Sequence, residues 1–156
     1  MALAAFALAS GNTAHARLGW TLDECQKAWG KPIYTAHTSE FDLTCYTFNL
    51  GTNLTAKAYL LNGHVQAISY LSLDKKFLLA KVKQLLHQNS PGVWTPYDDK
   101  RDKETVGTWQ YLNSDDEMTA YAVLWANPDV DGTYNLQISS NLWNAYLSNR
   151  NVNSQF

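Results

Sequence analysis

Apolar and polar positions change period several times along this chain, and each change marks an element. From Leu22 the pattern is helical, because Leu22, Cys25 and Trp29 fall on one face at i, i+3 and i+7. Thr21-Leu22-Asp23-Glu24 reads as a capping box, with Thr21 at the N-cap and Glu24 reaching back to it. Gly30 supplies a left-handed C′ residue and Pro32 stops the helix. The period then shortens to two. Residues 43–48 are β-prone, and residues 54–71 form a hairpin turning at Asn62-Gly63, the pair a type I′ turn favours. With strict alternation, Leu61 opposes His64, Leu60 opposes Val65 and Ala58 opposes Ala67. One face then carries Leu54, Ala56, Ala58, Leu60, Val65, Ala67 and Leu71, and is nearly free of polar groups. The other carries Tyr59, Ile68 and Tyr70 among polar neighbours.

Helical spacing returns after Asp74, a good N-cap, with Leu78, Leu79, Val82, Leu85 and Leu86 as the buried stripe. Asn89-Ser90-Pro91-Gly92 ends it. A charged loop covers 95–104, and strands are predicted over 106–112, 118–126 and 133–139. Met118 to Trp125 is apolar on both faces. Either it is a central strand covered on both sides, or Tyr121 and Trp125 partly line an open face. A short helix over 142–147 offers Leu142, Trp143, Tyr146 and Leu147 to the domain, and residues 151–156 are a polar tail.

The order is helix, strands, helix, strands, short helix. It predicts an α+β fold, an antiparallel β-sheet of meanders with helices packed on one face. After a leader, residues 17–150 make one domain of two helix-plus-meander halves, about 17–73 and 74–150.

The leader is residues 1–16. An apolar run from Ala2 to Ala9 passes through Ser10-Gly11-Asn12-Thr13 to Ala14-His15-Ala16. That is the apolar core and A-x-A site of a secretory signal peptide, too short to span a bilayer and lacking the usual cationic start. It places the protein in the periplasm or outside the cell, with no transmembrane segment. A net charge of −2 argues against binding nucleic acid, whose phosphates demand a basic surface. Six Trp and nine Tyr make aromatic contact the main remaining resource.

Export also changes the meaning of Cys25 and Cys45, the only cysteines. In an oxidising compartment they are expected to form a disulfide, closing a loop of about 20 residues and stabilising the fold by roughly 3 kcal/mol. The alternative is two separate buried thiols.

Candidate chemistry is sparse. Asn127-Pro128-Asp129-Val130-Asp131-Gly132-Thr133 begins like a calcium loop, but the twelfth position is Ile138 where a bidentate Glu is needed, so a hairpin connection is the simpler reading. Asp98-Asp99 and Asp115-Asp116-Glu117 lie in polar turns where nothing raises a carboxyl pKa. His37, His64 and His87 show no metal-ligand spacing. No metal or other cofactor is implied, and no catalytic motif is present.

Leu18-Gly19-Trp20-Thr21-Leu22-Asp23-Glu24-Cys25, Trp29-Gly30-Lys31-Pro32 and the hairpin Leu61-Asn62-Gly63-His64-Val65-Gln66-Ala67-Ile68 resemble the opening of BamE (SmpA/OmlA) and β-lactamase-inhibitor-like modules. The resemblance covers residues 18–71 and implies a capped helix followed by a meander. BamE-type proteins are lipoproteins, whereas no lipobox cysteine stands at the cleavage site here. Ala16-Arg17-Leu18-Gly19, and Leu85-Leu86-His87-Gln88-Asn89 followed by Trp94, also resemble exported proteins of Verrucomicrobia-type bacteria that have no assigned activity.

The reading that results is a non-catalytic exported module. It recognises another exported or envelope protein, or an envelope component, through an aromatic sheet face carrying Tyr59, Ile68, Tyr70, Tyr121 and Trp125. A secreted inhibitor of a hydrolase is the alternative that the resemblance permits. An enzyme acting on envelope polymers through the acidic loops ranks last.

Overall fold

The structure, a computed structural model, describes residues 17–38, 43–90, 92–97, 104–113 and 115–153. The signal-peptide expectation for residues 1–16, the pair Asp98-Asp99 and residues 154–156 of the tail lie outside them. Helix α1 (Leu22–Trp29) carries the capping box: Thr21 Oγ1 accepts from Glu24 N–H and Glu24 Oε2 accepts from Thr21 N–H. Four strands follow: β1 (Tyr34–Thr38), β2 (Leu43–Asn49), β3 (Thr55–Leu61) and β4 (His64–Ser72). Helix α2 (Lys75–Asn89) starts at Asp74, whose carboxylate accepts from the N–H groups of Lys76 and Phe77. Then come β5 (Trp94–Pro96), β6 (Thr105–Leu112), β7 (Met118–Trp125), β8 (Tyr134–Ser140) and α3 (Asn141–Asn153).

All eight strands form one antiparallel sheet in the order β1-β2-β3-β4-β8-β7-β6-β5. The two meanders meet at its centre, where β4 pairs with β8. Helices α1 and α2 cover one face of this sheet. There Cys25, Leu78, Val82, Leu85 and Leu86 pack on Phe48, Ala58, Ile68, Tyr70, Ala122, Leu136 and Ile138.

The expected α+β arrangement with helices on one face is corrected on two counts. Sheet dominates the chain, because β1 and β5 extend it at both edges. In addition, α3 covers the opposite face, so the BamE- or inhibitor-like layering does not describe this molecule. Helix α3 follows β8 without a loop, and Ser140 Oγ accepts from Trp143 N–H to cap its first turn. Trp143, 5% exposed, is thereby set on Leu43 and Ala67, beside Tyr59 and Tyr146.

A second correction concerns hairpin register. Asn62 and Gly63 both take positive φ (52° and 77°), as a type I′ turn requires, and Leu61↔His64 and Leu60↔Val65 pair as expected. The next pair is Tyr59↔Ala67, leaving Gln66 as the extra residue of a β-bulge. Ala58 therefore opposes Ile68, not Ala67, and every β4 side chain beyond the bulge changes face. The cause lies far off in sequence. Val65 N–H donates to Trp20 C=O, and Gly19 N–H donates to Val65 C=O, both at 2.7 Å. The segment before α1 thus holds the backbone at the bulge.

Candidate functional site

Beyond the bulge, alternation sorts the sheet into two rows of side chains on the α3 face. One row runs Tyr59, Ala67, Ser139, Tyr121 and Gln110 across β3, β4, β8, β7 and β6. The next runs Lys57, Ser69, Gln137, Val123 and Thr108 across the same strands. Helix α3 closes the β3–β4 end of the first row, where the Tyr59 and Trp143 rings lie 5.2 Å apart and Trp143 and Tyr146 5.4 Å apart. Toward β6 the sheet runs out from under the helix. A cleft of about 420 Å³ opens there, floored by Tyr121, Val123, Trp125 and Gln137 and walled by Asn144 and Leu147 of α3.

The cleft is amphipathic. Tyr121, Val123 and Trp125 are half-buried and supply ring and methyl surface, while Gln137, Thr108 and Asn144 supply amides and hydroxyls. Tyr97 meets Tyr121 edge-on at 5.7 Å, extending the aromatic surface toward the sheet edge. Ser139 Oγ donates to Asn144 Oδ1 at 3.3 Å, which ties the wall to the floor. Rigid rings among neutral hydrogen-bonding groups give large contact area at low entropic cost, the composition of a recognition surface.

The five residues predicted as one surface are therefore divided. Tyr121 and Trp125 line the cleft, and Tyr59 shares their face but lies partly beneath Trp143. Ile68 and Tyr70 are 0% and 2% exposed in the opposite core, a direct consequence of the bulge. There the Tyr70 hydroxyl accepts from Asn89 Nδ2 at 2.9 Å, and burial pushes its pKa up. Trp143, Asn144 and Leu147 were not predicted to join the site. The i, i+4 spacing of Trp143 and Leu147 shows a stripe, yet nothing local says which sheet face receives it.

The two cysteines expected to pair stand apart: Cys25 and Cys45 are free thiols on opposite faces of the sheet. Cys25 sits with α1 in the core. Cys45 opposes Tyr59, whereas its strand neighbours Tyr46 and Phe48 point into the core. Burial pushes Cys25 up to about 12 and also raises Cys45, so both are protonated at neutral pH and weak as nucleophiles.

The acidic segments are absorbed by turns. Asn113 Oδ1 accepts from the N–H groups of Asp115 and Glu117, and all three acidic side chains from Asp115 to Glu117 are exposed. Asp131 Oδ1 accepts from the N–H and hydroxyl of Thr133, and these bonds hold its carboxyl below the usual range. Among the described residues no group of three His, Cys, Asp or Glu is placed to hold a metal. His37 Nδ1 lies 2.9 Å from Thr44 Oγ1, and His64 Nδ1 lies 3.0 Å from Asn62 C=O. No helix among the described residues is long and apolar enough to cross a membrane.

The sequence matches no protein-family model and no curated protein. Among solved structures, a cysteine-rich secretory protein from Staphylococcus aureus is similar with a TM-score of 0.44 and 8% identity. The alignment covers 81% of this chain and 45% of that one, so this chain spans less than half its length.

Proposed function

We propose that this protein is an exported, non-catalytic binding module that docks another exported or envelope protein in the cleft between α3 and β6–β8. The observation that carries the reading is the division of the α3 face. Trp143 seals one end of it, while Tyr121 and Trp125 are left half-buried beside Gln137 and Asn144 at the other. Anchor residues in such surfaces are typically Trp and Tyr, and a neutral polar rim fixes orientation. The leader-like sequence of residues 1–16 supports an extracytoplasmic partner.

Site-specific photocrosslinking in an exporting bacterial cell tests it. A photoreactive phenylalanine replacing Trp125 is expected to give a discrete protein adduct that fades when Tyr121→Ala is added. The same probe at Val130, a fully exposed loop residue, is expected to give none. Equal adducts from both positions, or none from either, would overturn the reading.

A further inference from the structure

A second cleft lies on the other side of the sheet, at the outer edge of the core. It measures about 670 Å³, within the range of sites that hold small organic molecules. One wall is the α2 stripe Phe77, Lys81, Gln84 and Leu85, which follows helical spacing along a single face. The other wall is the β2–β3 connection with Leu54, and Trp29 of α1 lies at the base.

Both walls are set in place without a ligand. Leu50 N–H donates to Leu54 C=O at 2.9 Å, and Asn49 Oδ1 accepts from Gly51 N–H at 2.9 Å, fixing the connection. Trp29 is held edge-on against Phe48 at 5.2 Å and against Tyr70 at 6.2 Å. The cleft is therefore preformed, with Trp29, Leu54 and Phe77 giving it apolar surface beside the polar Asn49, Asn53 and Gln88, so binding there costs little reorganisation.

Charge selects the ligand class. Among the described residues Lys81 is the single charged residue lining the cleft, and no acidic side chain lines it. Its ammonium donates to Gln84 Oε1 at 3.2 Å and stands 6.0 Å over the Phe77 ring, two neutral partners. A cation over an apolar floor with no carboxylate beside it complements a molecule that is apolar along its body and anionic at one end.

We propose that this cleft binds a small apolar monocarboxylate of the medium-chain fatty-acid type, its chain against Trp29, Leu54 and Phe77 and its carboxylate on Lys81. The site is on the opposite sheet face from the protein-docking cleft and stands independently of it.

Calorimetric titration of the full chain with decanoate and, separately, decanol tests the assignment. Decanoate is expected to saturate one site per chain and to bind about tenfold more tightly than decanol, the ratio one charge-assisted hydrogen bond supplies. Lys81→Met is expected to weaken decanoate about tenfold and leave decanol unchanged. Gln84→Trp, which fills the cleft from an exposed helix position, is expected to weaken both. Thermal melts confirm that the variants are folded, since Lys81 and Gln84 sit outside the core. Equal affinity for the two ligands, an unchanged decanoate affinity in Lys81→Met, or no saturable binding would overturn the proposal.

Discussion

On the face under α1 and α2, Phe48, Ala58, Ile68, Tyr70, Leu136 and Ile138 are all buried in one continuous core. On the face under α3, burial is complete around Trp143 and at Ser69, while Tyr121, Val123, Trp125 and Gln137 stay half-buried. The same strands supply both faces, and alternation gives the second the polar residues Lys57, Ser69, Gln137 and Thr108. Coverage adds to that difference: two helices pack on the first face, while one helix reaches only part of the second. What a side chain contributes to stability or recognition therefore depends on which face it occupies, and on β4 the bulge at Gln66 decides that assignment.

The sharpest contrast lies within one residue type. Tyr70→Ala is expected to destabilise the protein by about 4 kcal/mol, since it empties a site in the closed core and leaves Asn89 Nδ2 with only the Leu85 carbonyl. Tyr121→Ala, on the partly open face, is expected to cost about 1 kcal/mol. Urea unfolding of the two variants measures the gap, and equal losses would break the comparison.

Trp143 probes the closed end of the second face. Trp143→Ala is expected to cost about 3 kcal/mol, because α3 loses its anchor on Leu43 and Ala67. Trp143→Phe is expected to cost far less, since the indole Nε1 is buried without an acceptor among the described residues and its removal forfeits no hydrogen bond seen there. The pair separates packing from polar contact in the same denaturant experiment.

Alkaline pH loads groups whose pKa values burial raises on both faces, Cys45 and Tyr59 on the α3 side as well as two in the closed core. Cys25 and Tyr70 both sit in the closed core with pKa values raised by burial, Cys25 from 9.0 to about 12. A raised folded pKa means stability that is fully present below the unfolded value and lost as pH rises through the folded one. Stability is therefore expected to fall progressively as pH rises above 9.0 toward 12. Cys25→Ala is expected to flatten that fall, read from melting temperatures across the range.

The elements with local signals were legible in the sequence. The Thr21–Glu24 capping box, the Asp74 cap and the Asn62-Gly63 turn each depend on residues within a few positions of one another. Strand β1 was not legible, because Tyr34 to Thr38 is an exposed edge with only Ala36 half-buried, and alternation leaves no trace there. The bulge was hidden for a different reason. Gln66 and its neighbours read as regular strand, and the bonds that hold Val65 come from Gly19 and Trp20, far away in the chain. That single slip grouped Ile68 and Tyr70 with Tyr59, whereas Tyr121 and Trp125 share one face by simple alternation along β7, which pairs regularly with β8. The cysteines show the same limit, since counting them says nothing of which face each occupies.

A small expected effect is also instructive. Deleting Gln66 removes the extra residue and leaves Tyr59↔Ala67 and Leu60↔Val65 as consecutive pairs, so no side chain downstream changes face. The cost is expected to be about 1 kcal/mol, mainly the hydrogen bond from Ser140 Oγ to Gln66 Oε1. In a hairpin without a bulge, the same deletion would turn Ile68 and Tyr70 to the other face and unfold the domain.

Cross-strand nuclear Overhauser contacts between β3 and β4 test the register itself. Backbone contacts linking Ala58 to Ile68 and Tyr59 to Ala67 are predicted, with Gln66 unpaired between them. Contacts linking Ala58 to Ala67 would contradict the account, because they would return Tyr70 to the face of Tyr59 and dissolve the distinction between the two faces.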